Sequence, residues 1–281
     1  MNTAVLRRHA SVKPLRLSGI SETLLIPLWA RALETRRPDA ILRDPIALEI
    51  FESIDYDFSK FEGAWTTQTG IAIRTKLLDE AASAFLAANP EGVVINLGAG
   101  LGTRFCRIDN GSVHWYEVDL PYVIELRKRF FRPTRRYRFI AGSVTEPSTL
   151  ERITAGRRSV LVLAEGLFMY FPETDVRSLC ERLQKRFPRA QMLLEILSPF
   201  SLGMGKYDPC VSQVAEGLLE FRWALSDCRM MERWGCGLRV LQEWNVLNYH
   251  RERWGWIGWL NLLAPYALPM LGNRIVHLRF A

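Results

Sequence analysis

The sequence predicts an α/β protein built on a doubly wound, largely parallel sheet. From Val93 onward, short apolar runs alternate with segments of helical periodicity, which is the pattern of consecutive βαβ units. The first apolar run, Val93–Leu97, ends in three alternate glycines, Gly98, Gly100 and Gly102. Because glycine allows unusual backbone angles or the close approach of a ligand to bare backbone, this turn is the first candidate for a binding site.

Ahead of the first strand, the sequence predicts helices. Apolar residues recur at helical spacing in Thr23–Glu34, Asp44–Ile54 and Ile71–Pro90, and Asp44 followed by Pro45 is typical of a helix start. We expect this N-terminal part to cover the core as a helical cap.

Seven strands are expected in all. The candidates are Val93–Leu97, Val113–Val118, Tyr137–Ala141, Val160–Ala164, Met192–Ile196, Leu238–Leu241 and Arg274–Phe280. Helical stretches separate the first five strands, but no obvious helix separates the last two, so an antiparallel final pair is expected.

Composition places the chain among ordinary globular proteins. Of its 281 residues, 48% are hydrophobic and 24% are charged, which excludes disordered, collagen-like and coiled-coil classes. The formal net charge of +7 predicts an acidic partner without choosing among nucleic acid, anionic lipid, an acidic carrier protein and an acidic small molecule. Five scattered cysteines without a C-x-x-C pair favour free thiols in a reducing cytoplasm over a zinc site. We therefore expect a cytoplasmic protein with no bound metal.

One uncharged stretch, Trp254–Gly272, has nearly the length of a membrane-spanning helix. Asn261, Pro265 and Pro269 interrupt it, so we expect a buried wall facing the substrate rather than a membrane span. The N-terminal segment also lacks the apolar core of a signal peptide.

The strand ends carry the candidate ligand groups, because ligands of open α/β sheets bind beyond the carboxyl ends of the strands. The glycine loop lacks the last glycine of a dinucleotide fingerprint, since position 103 is Thr103, which argues against a nicotinamide-dependent oxidoreductase. Three further strand ends offer Glu117 and Asp119, Ser143 and Val144, and Glu165 and Gly166.

An acid about 20 residues after such a loop can hold the ribose hydroxyls, and both Glu117 and Asp119 meet this spacing on one face of their strand. Ser143 and Val144 suit the edge and face of an adenine, and a second acid at Glu165 suits a ligand amine. These groups together predict a site for S-adenosylmethionine, a methyl donor.

Several motifs resemble one known family. They are RA at Arg31–Ala32, DPIA at Asp44–Ala47, IRTKLLD at Ile73–Asp79, VINLGAGLGTR at Val94–Arg104, YEVDLP at Tyr116–Pro121 and AEGLFMYFPE at Ala164–Glu173. In this order they resemble the leucine carboxyl methyltransferase family, and within it the bacterial O-methyltransferases of polyketide biosynthesis. The resemblance extends from about Glu22 to Phe200. It implies a Rossmann-like class I methyltransferase sheet of about seven strands, with an antiparallel last strand and a helical N-terminal cap.

The resemblance also implies a division of the chain. Residues 1–90 would form the helical cap, and residues 91–281 would form the donor-binding core, with an insertion around residues 198–235 that shapes the acceptor pocket. The family usually carries aspartate where this chain has Gly102, and usually an acidic residue near Ser143.

Residue roles follow from the same resemblance. Arg74 would bind the carboxylate of the donor, Gly98 would lie under its methionine part, Asp119 rather than Glu117 would hold the ribose, and Glu165 would meet the amino group. The full implied donor site is Arg74, Gly98, Ala99, Gly100, Asp119, Leu120, Ser143, Val144, Glu165 and Gly166.

Methyl transfer from a sulfonium is an in-line displacement that depends mostly on alignment. A carboxylate acceptor needs no base, whereas a hydroxyl acceptor is helped by one. We assign no catalytic residue, and Tyr170 and Arg31 are the acceptor-side candidates. The expected acceptor is a polyketide-like small molecule, free or bound to a carrier protein. A protein carboxylate or RNA is the alternative, although no RNA-binding motif is visible and no nucleic-acid partner is expected.

A basic run between Arg127 and Arg138 contains seven lysines and arginines. A solvated helix end is the ordinary interpretation of such a run. A docking face for an acidic carrier protein is the alternative hypothesis.

Overall fold

Seven strands form one mixed sheet in the computed structural model, which describes residues 5–7, 19–203, 207–208, 210–214, 220–263 and 271–281. The strands are β1 Val93–Leu97, β2 His114–Asp119, β3 Tyr137–Ala141, β4 Val160–Ala164, β5 Gln191–Ile196, β6 Leu238–Asn245 and β7 Arg274–Phe280. Their order in the sheet is β3-β2-β1-β4-β5-β7-β6. β1 to β5 are parallel, and β7 runs antiparallel to both β5 and β6. The predicted doubly wound sheet with an antiparallel last strand is confirmed.

The largest difference from the predicted strands is in β6. This strand continues to Asn245, four residues beyond the predicted end at Leu241, with an irregularity in pairing between Val240 and Gln242. It lies at the edge of the sheet and most of its side chains are exposed or half-buried. An edge strand with exposed side chains does not need a continuous apolar run, which is why the sequence pattern ended too early.

Helices cover both faces of the sheet. They are α1 Leu25–Arg36, α2 Pro45–Ser53, α3 Trp65–Ala88, α4 Arg104–Ile108, α5 Pro121–Phe130, α6 Pro147–Glu151, α7 Glu173–Arg186 and α8 Trp256–Leu263. α2 starts as predicted, because the Asp44 side chain accepts a hydrogen bond from the Ala47 amide and Pro45 occupies the first helical position. α8 was not predicted, since its eight residues are almost all apolar and show no clear helical period.

Alternation along the strands divides the core into two clusters. On one face, residues such as Val94 and Leu161 pack against α1, α3, α4 and α5. On the other face, residues such as Ile95 and Val162 pack against α6, α7 and the segment around Cys228–Trp234. The N-terminal helices therefore share a core with the sheet, and their layer ends beside the carboxyl ends of the strands.

The uncharged stretch Trp254–Gly272 only partly fits the expected buried wall. Trp254 is buried, but Trp256 and Trp259 on α8 are 67% and 73% exposed. Asn261 lies within α8, whereas Pro265 and Pro269 lie outside the described residues. In the part of the chain that the structure describes, no helix is long and apolar enough to cross a membrane.

Candidate functional site

A cavity of about 590 Å³ opens at the carboxyl ends of β1 to β5, within the size range of small-molecule sites. The structure brings all ten residues of the predicted donor site to its wall. They are Arg74, Gly98, Ala99, Gly100, Asp119, Leu120, Ser143, Val144, Glu165 and Gly166, and the acceptor-side candidates Arg31 and Tyr170 line the same cavity. Residues from four strand ends and from two N-terminal helices thus meet at one place.

The glycine loop folds tightly over the end of β2. The amides of Gly98 and Ala99 donate to the Val118 carbonyl oxygen at 2.9 and 3.2 Å. Gly98 has φ +66°, and a Cβ there would lie 2.8 Å from Leu167 Cδ1. Glycine at this position is therefore required by the backbone conformation and by the packing of Leu167.

The two acids at the end of β2 have different surroundings. Glu117 is buried away from the cavity and accepts from Asn96 Nδ2 at 2.7 Å and from Arg127 Nη2 at 2.9 Å. Asp119 lines the cavity and accepts from the amides of Gly100 and Leu120, both at 2.7 Å. Burial raises the pKa of Asp119 above its ordinary value, although the two amides oppose this shift. Of the two acids that the spacing left open, the geometry offers Asp119 to a ligand.

Arg74 on α3 is held between two carboxylates. Its Nε donates to Glu165 Oε1 at 3.0 Å, and its Nη1 donates to the Glu195 oxygens at 3.0 and 2.8 Å. Its Nη2 has no hydrogen-bond partner among the described residues and lies 3.5 Å from the position that a Cβ on Gly166 would take. A glycine at 166 therefore leaves room beside the one guanidinium nitrogen that remains available to a ligand carboxylate.

Glu165 is more fully occupied than the sequence predicted. Besides Arg74, it accepts from Thr75 Oγ1 at 3.2 Å and from Arg104 Nη2 at 2.7 Å. Burial alone would raise the pKa of Glu165, but Arg104 and Arg74 outweigh burial and hold its pKa well below the ordinary range. The carboxylate is ionised at neutral pH, and its oxygens already serve two arginines at the cavity wall.

Ion pairs continue from Glu165 across the site as one alternating chain of eight side chains, none more than 15% exposed. In order it reads Arg31, Asp44, Arg107, Asp79, Arg104, Glu165, Arg74 and Glu195, with neighbouring charges 2.5 to 3.0 Å apart. The four cations and four anions balance. This alternating chain connects the start of α2 with the end of β5.

Arg31 and Tyr170 occupy different positions with respect to the alternating chain of ion pairs. Arg31 forms its end, donating to Asp44 Oδ2 at 3.0 Å and to the Leu101 carbonyl at 3.1 Å. Tyr170 is hydrogen-bonded to Thr23, and burial raises the pKa of its phenol. Tyr170 is therefore protonated at neutral pH, which suits it to donate a hydrogen bond.

Ser143 and Val144 follow β3 on the far side of Asp119. Ser143 Oγ lies 2.7 Å from Thr145 Oγ1, and Val144 is buried. Both line the cavity, as the adenine contact requires, and their role stays a prediction.

The remaining cavity wall is mostly apolar. Its residues include Leu24, Ile26, Ile71, Met169, Phe171, Leu197, Val211, Phe221, Val246, Leu247 and Trp254. This part can enclose a hydrophobic acceptor and exclude water.

Sequence reasoning missed three polar residues around the site. Glu195 accepts from the Gly166 amide at 3.0 Å and from Asn273 Nδ2 at 3.3 Å. The sequence feature that could have identified it is a single acidic residue in the otherwise mostly apolar strand β5. Arg104 comes two residues after the last glycine of the glycine loop. Arg127 was counted within the exposed basic run, but it is completely buried beneath the loop, and no periodicity distinguishes it from its neighbours.

Within the described ranges, no group of three or more histidine, cysteine, aspartate or glutamate side chains is arranged to hold a metal ion. All five cysteines are buried free thiols.

Comparison with known proteins identifies the family that this chain matches. A family model described as leucine carboxyl methyltransferase matches residues 25–184. A tetracenomycin polyketide synthesis O-methyltransferase, TcmP, from Streptomyces glaucescens is 36% identical over 83% of this chain and 86% of its own length. The S-adenosyl-L-methionine-dependent methyltransferase dpfgK from Gibberella zeae is 29% identical over 87% of this chain and 88% of its own length.

A solved structure agrees with the fold. A Thermobifida fusca protein with a provisional methyltransferase assignment superposes with a TM-score of 0.56 over 89% of this chain and 94% of that one. Its sequence is only 12% identical, so this likeness concerns the fold alone.

Proposed function

This chain belongs to the leucine carboxyl methyltransferase family and is an S-adenosylmethionine-dependent methyltransferase, and we propose that it methylates an oxygen atom of a polyketide-like small molecule. The observation that carries this proposal is the meeting of the glycine loop, Asp119 and Arg74 on one cavity with a largely apolar remainder. The polyketide acceptor is suggested by the name of TcmP, with which the chain shares most of its length.

The donor site is proposed from the residues that line the cavity. Arg74 Nη2 would bind the carboxylate of the donor, and Asp119 would accept hydrogen bonds from the ribose. Gly98, Ala99 and Gly100 would lie under the methionine part. The remaining contacts would come from Leu120, Ser143, Val144, Glu165 and Gly166.

The reaction needs alignment more than proton transfer. S-adenosylmethionine supplies an electrophilic methyl group and leaves as a neutral thioether. The apolar wall excludes water and holds the acceptor oxygen in line with the methyl group. We favour a carboxylate acceptor, because an ionised carboxylate attacks without a base and the described cavity wall contains no histidine. Arg31 and Tyr170 would then orient the acceptor rather than exchange protons with it.

The test is product analysis. The protein is incubated with S-adenosylmethionine and a panel of aromatic polyketide acids and phenols, and products are followed by mass spectrometry. We expect a mass gain of about 14 Da (one CH₂) on an acid, reversed by mild hydroxide because the product is an ester. A gain that resists hydroxide would point to a hydroxyl acceptor, and no gain on any member would contradict the proposed acceptor class.

Donor choice is checked independently of the acceptor. S-adenosylmethionine should raise the thermal midpoint, because a ligand that binds only the folded state stabilises it, whereas NAD and NADP should leave it unchanged. Arg74→Ala should remove most of this shift, and Arg129→Ala on the exposed side of α5 is the matched control.

An acceptor bound to a carrier protein is the alternative to a free acceptor. Arg132 and Arg135 of the basic run are exposed, but they precede β3, whose carboxyl end faces the cavity. The five-residue length of β3, about 17 Å, separates this face from the cavity, so a carrier docked there would need a long flexible arm. Arg132→Glu with Arg135→Glu should slow turnover of a carrier-bound acceptor only if this face binds the carrier. A cytoplasmic location is proposed from the five free thiols.

A further inference from the structure

Arg127 is a buried cation beneath the glycine loop, and it does not line the cavity. It lies on α5 with 0% of its surface exposed. Its Nη1 lies 3.2 Å from the Ala99 carbonyl oxygen, 2.7 Å from that of Gly100 and 3.1 Å from that of Gly102. One guanidinium nitrogen therefore lies within hydrogen-bond distance of three carbonyl oxygens of the same loop.

The other side of the guanidinium is anchored to the sheet. Nη2 donates to Glu117 Oε1 at 2.9 Å and to the Tyr137 hydroxyl at 2.5 Å. The second oxygen of Glu117 accepts from Asn96 on β1 at 2.7 Å. Nε is buried without a partner among the described residues. The planar fork is thus fixed through its two terminal nitrogens, one on the loop and one on the strands.

This anchoring determines which way the loop peptides face. With the carbonyls of Ala99, Gly100 and Gly102 directed at Arg127, the amide of Gly100 is left to donate to Asp119 Oδ2 at 2.7 Å on the cavity side. Gly100 itself has φ +47°. The curvature of the loop and the orientation of the Asp119 carboxylate therefore both depend on a cation outside the cavity.

We propose that Arg127 is a positioning residue for donor binding, which holds the backbone of residues 99–102 and, through it, Asp119 in the geometry that receives the ribose and methionine parts of the donor. The inference rests on the proposed donor site. It assigns no contact between Arg127 and either substrate.

Lysine cannot reproduce this arrangement, although it keeps the charge. A single ammonium nitrogen cannot reach the loop carbonyls and the Glu117 and Tyr137 oxygens together. We expect Arg127→Lys to raise the Kd for S-adenosylmethionine about tenfold, since several charged hydrogen bonds are lost. The KM for the acceptor and kcat at saturating donor should change by less than about twofold, because the acceptor side of the cavity is untouched.

Two further variants accompany Arg127→Lys. Tyr137→Phe removes one hydroxyl that anchors Nη2 and keeps the cation, and it should raise the donor Kd about threefold. Arg129→Lys, two residues along α5 and exposed, should leave the donor Kd unchanged. Kd is measured by isothermal titration calorimetry, with the thermal midpoint recorded for each variant.

An unchanged donor Kd in Arg127→Lys would overturn the proposal. So would equal increases in the donor Kd and the acceptor KM that accompany a lower thermal midpoint, since these indicate a general structural role. If Arg127→Lys does not fold, Tyr137→Phe decides in the same way. Asp119→Ala separates the two proposals. If it leaves the donor Kd unchanged while Arg127→Lys raises it, the ribose assignment to Asp119 fails and Arg127 acts through the backbone of residues 99–102 alone.

Discussion

At the scale of single residues, Asp119 combines burial with a proposed ribose-binding role that requires an ionised carboxylate. Its carboxylate is held by two amides and faces the cavity, and burial raises its pKa above the ordinary value. Spacing alone could not separate Asp119 from Glu117, because both lie on the same face of β2. In the structure, Arg127 and Asn96 both donate hydrogen bonds to Glu117, which leaves Asp119 to face the cavity. No local sequence pattern connects Glu117 with either donor.

The raised pKa of Asp119 predicts a pH-dependent donor affinity. As the pH falls through this pKa, the carboxylate takes up a proton and loses acceptor capacity, so the Kd for S-adenosylmethionine should rise as the pH is lowered from 7 toward this pKa. Asp119→Asn should bind weakly throughout this range. Calorimetric titrations of the two proteins across this range give the comparison, and a flat profile for the natural protein would contradict the prediction.

Fold stability should respond to acid in a different way. The pKa of Glu165 is lowered in the folded state, so its contribution to stability is present above the unfolded-state pKa of about 4.3 and is lost only as the pH falls below that value. Asp119 has the opposite sign, because a raised folded-state pKa gives a contribution that is lost as the pH rises. As the pH is lowered, weakened donor binding should therefore appear before the contribution of Glu165 to stability is lost.

At the scale of elements, Asp44 both caps a helix and belongs to the alternating chain of ion pairs. One oxygen accepts from the Ala47 amide at 3.1 Å, and the other pairs with Arg31 and Arg107. Thr103, which follows the glycine loop, also donates to Asp44. The start of α2 is thereby fastened to the loop after β1.

Two substitutions can separate these roles of Asp44. Asp44→Asn keeps a capping oxygen but leaves Arg31 and Arg107 facing a neutral group, and it should lower the free energy of unfolding by about 3 kcal/mol. Asp44→Ala should cost about 1 kcal/mol more, because the cap is lost as well. Urea denaturation measures both values, and Asp55→Ala, at an exposed position outside the helices, is the control that should change little. Equal losses in the two Asp44 variants would show that the cap contributes nothing.

The sequence predicted the helices and strands better than it predicted the long-range contacts between their side chains. Helix starts and parallel strands follow from local periodicity and capping, whereas Arg74 meets Glu165 and Glu195 across 91 and 121 residues of chain. Such contacts depend on the sheet order, which local patterns do not encode. The end of β6 and the short helix α8 were missed because neither shows a regular period.

At the scale of the whole molecule, the N-terminal helices and the sheet share buried charges as well as apolar contacts. Arg74, Asp44 and Asp79 come from the first 90 residues, and their partners Glu165, Glu195, Arg104 and Arg107 come from the remainder. The division into a helical cap, residues 1–90, and a donor-binding core, residues 91–281, therefore stays a prediction. It does not follow that the two parts fold separately.

A fragment of residues 91–281 should fail to fold. It would leave Arg107 and Glu195 without their ion-pair partners, would leave Arg104 and Glu165 paired only with each other, and would expose the part of one sheet face that α1 and α3 cover. We expect no cooperative thermal transition by circular dichroism, in contrast to the full chain. A cooperative transition in the fragment would indicate that the N-terminal helices are a dispensable lid.

The balance of the alternating chain of ion pairs constrains how this protein can diverge. Each interior charge has two neighbours of opposite sign, so a single reversal sets like charges against both of them and weakens the wall of the donor cavity. We expect sequences that diverge from this one to exchange charges here only through compensated changes at neighbouring positions of the series. The eight positions should accordingly vary together, even though they are scattered from residue 31 to residue 195.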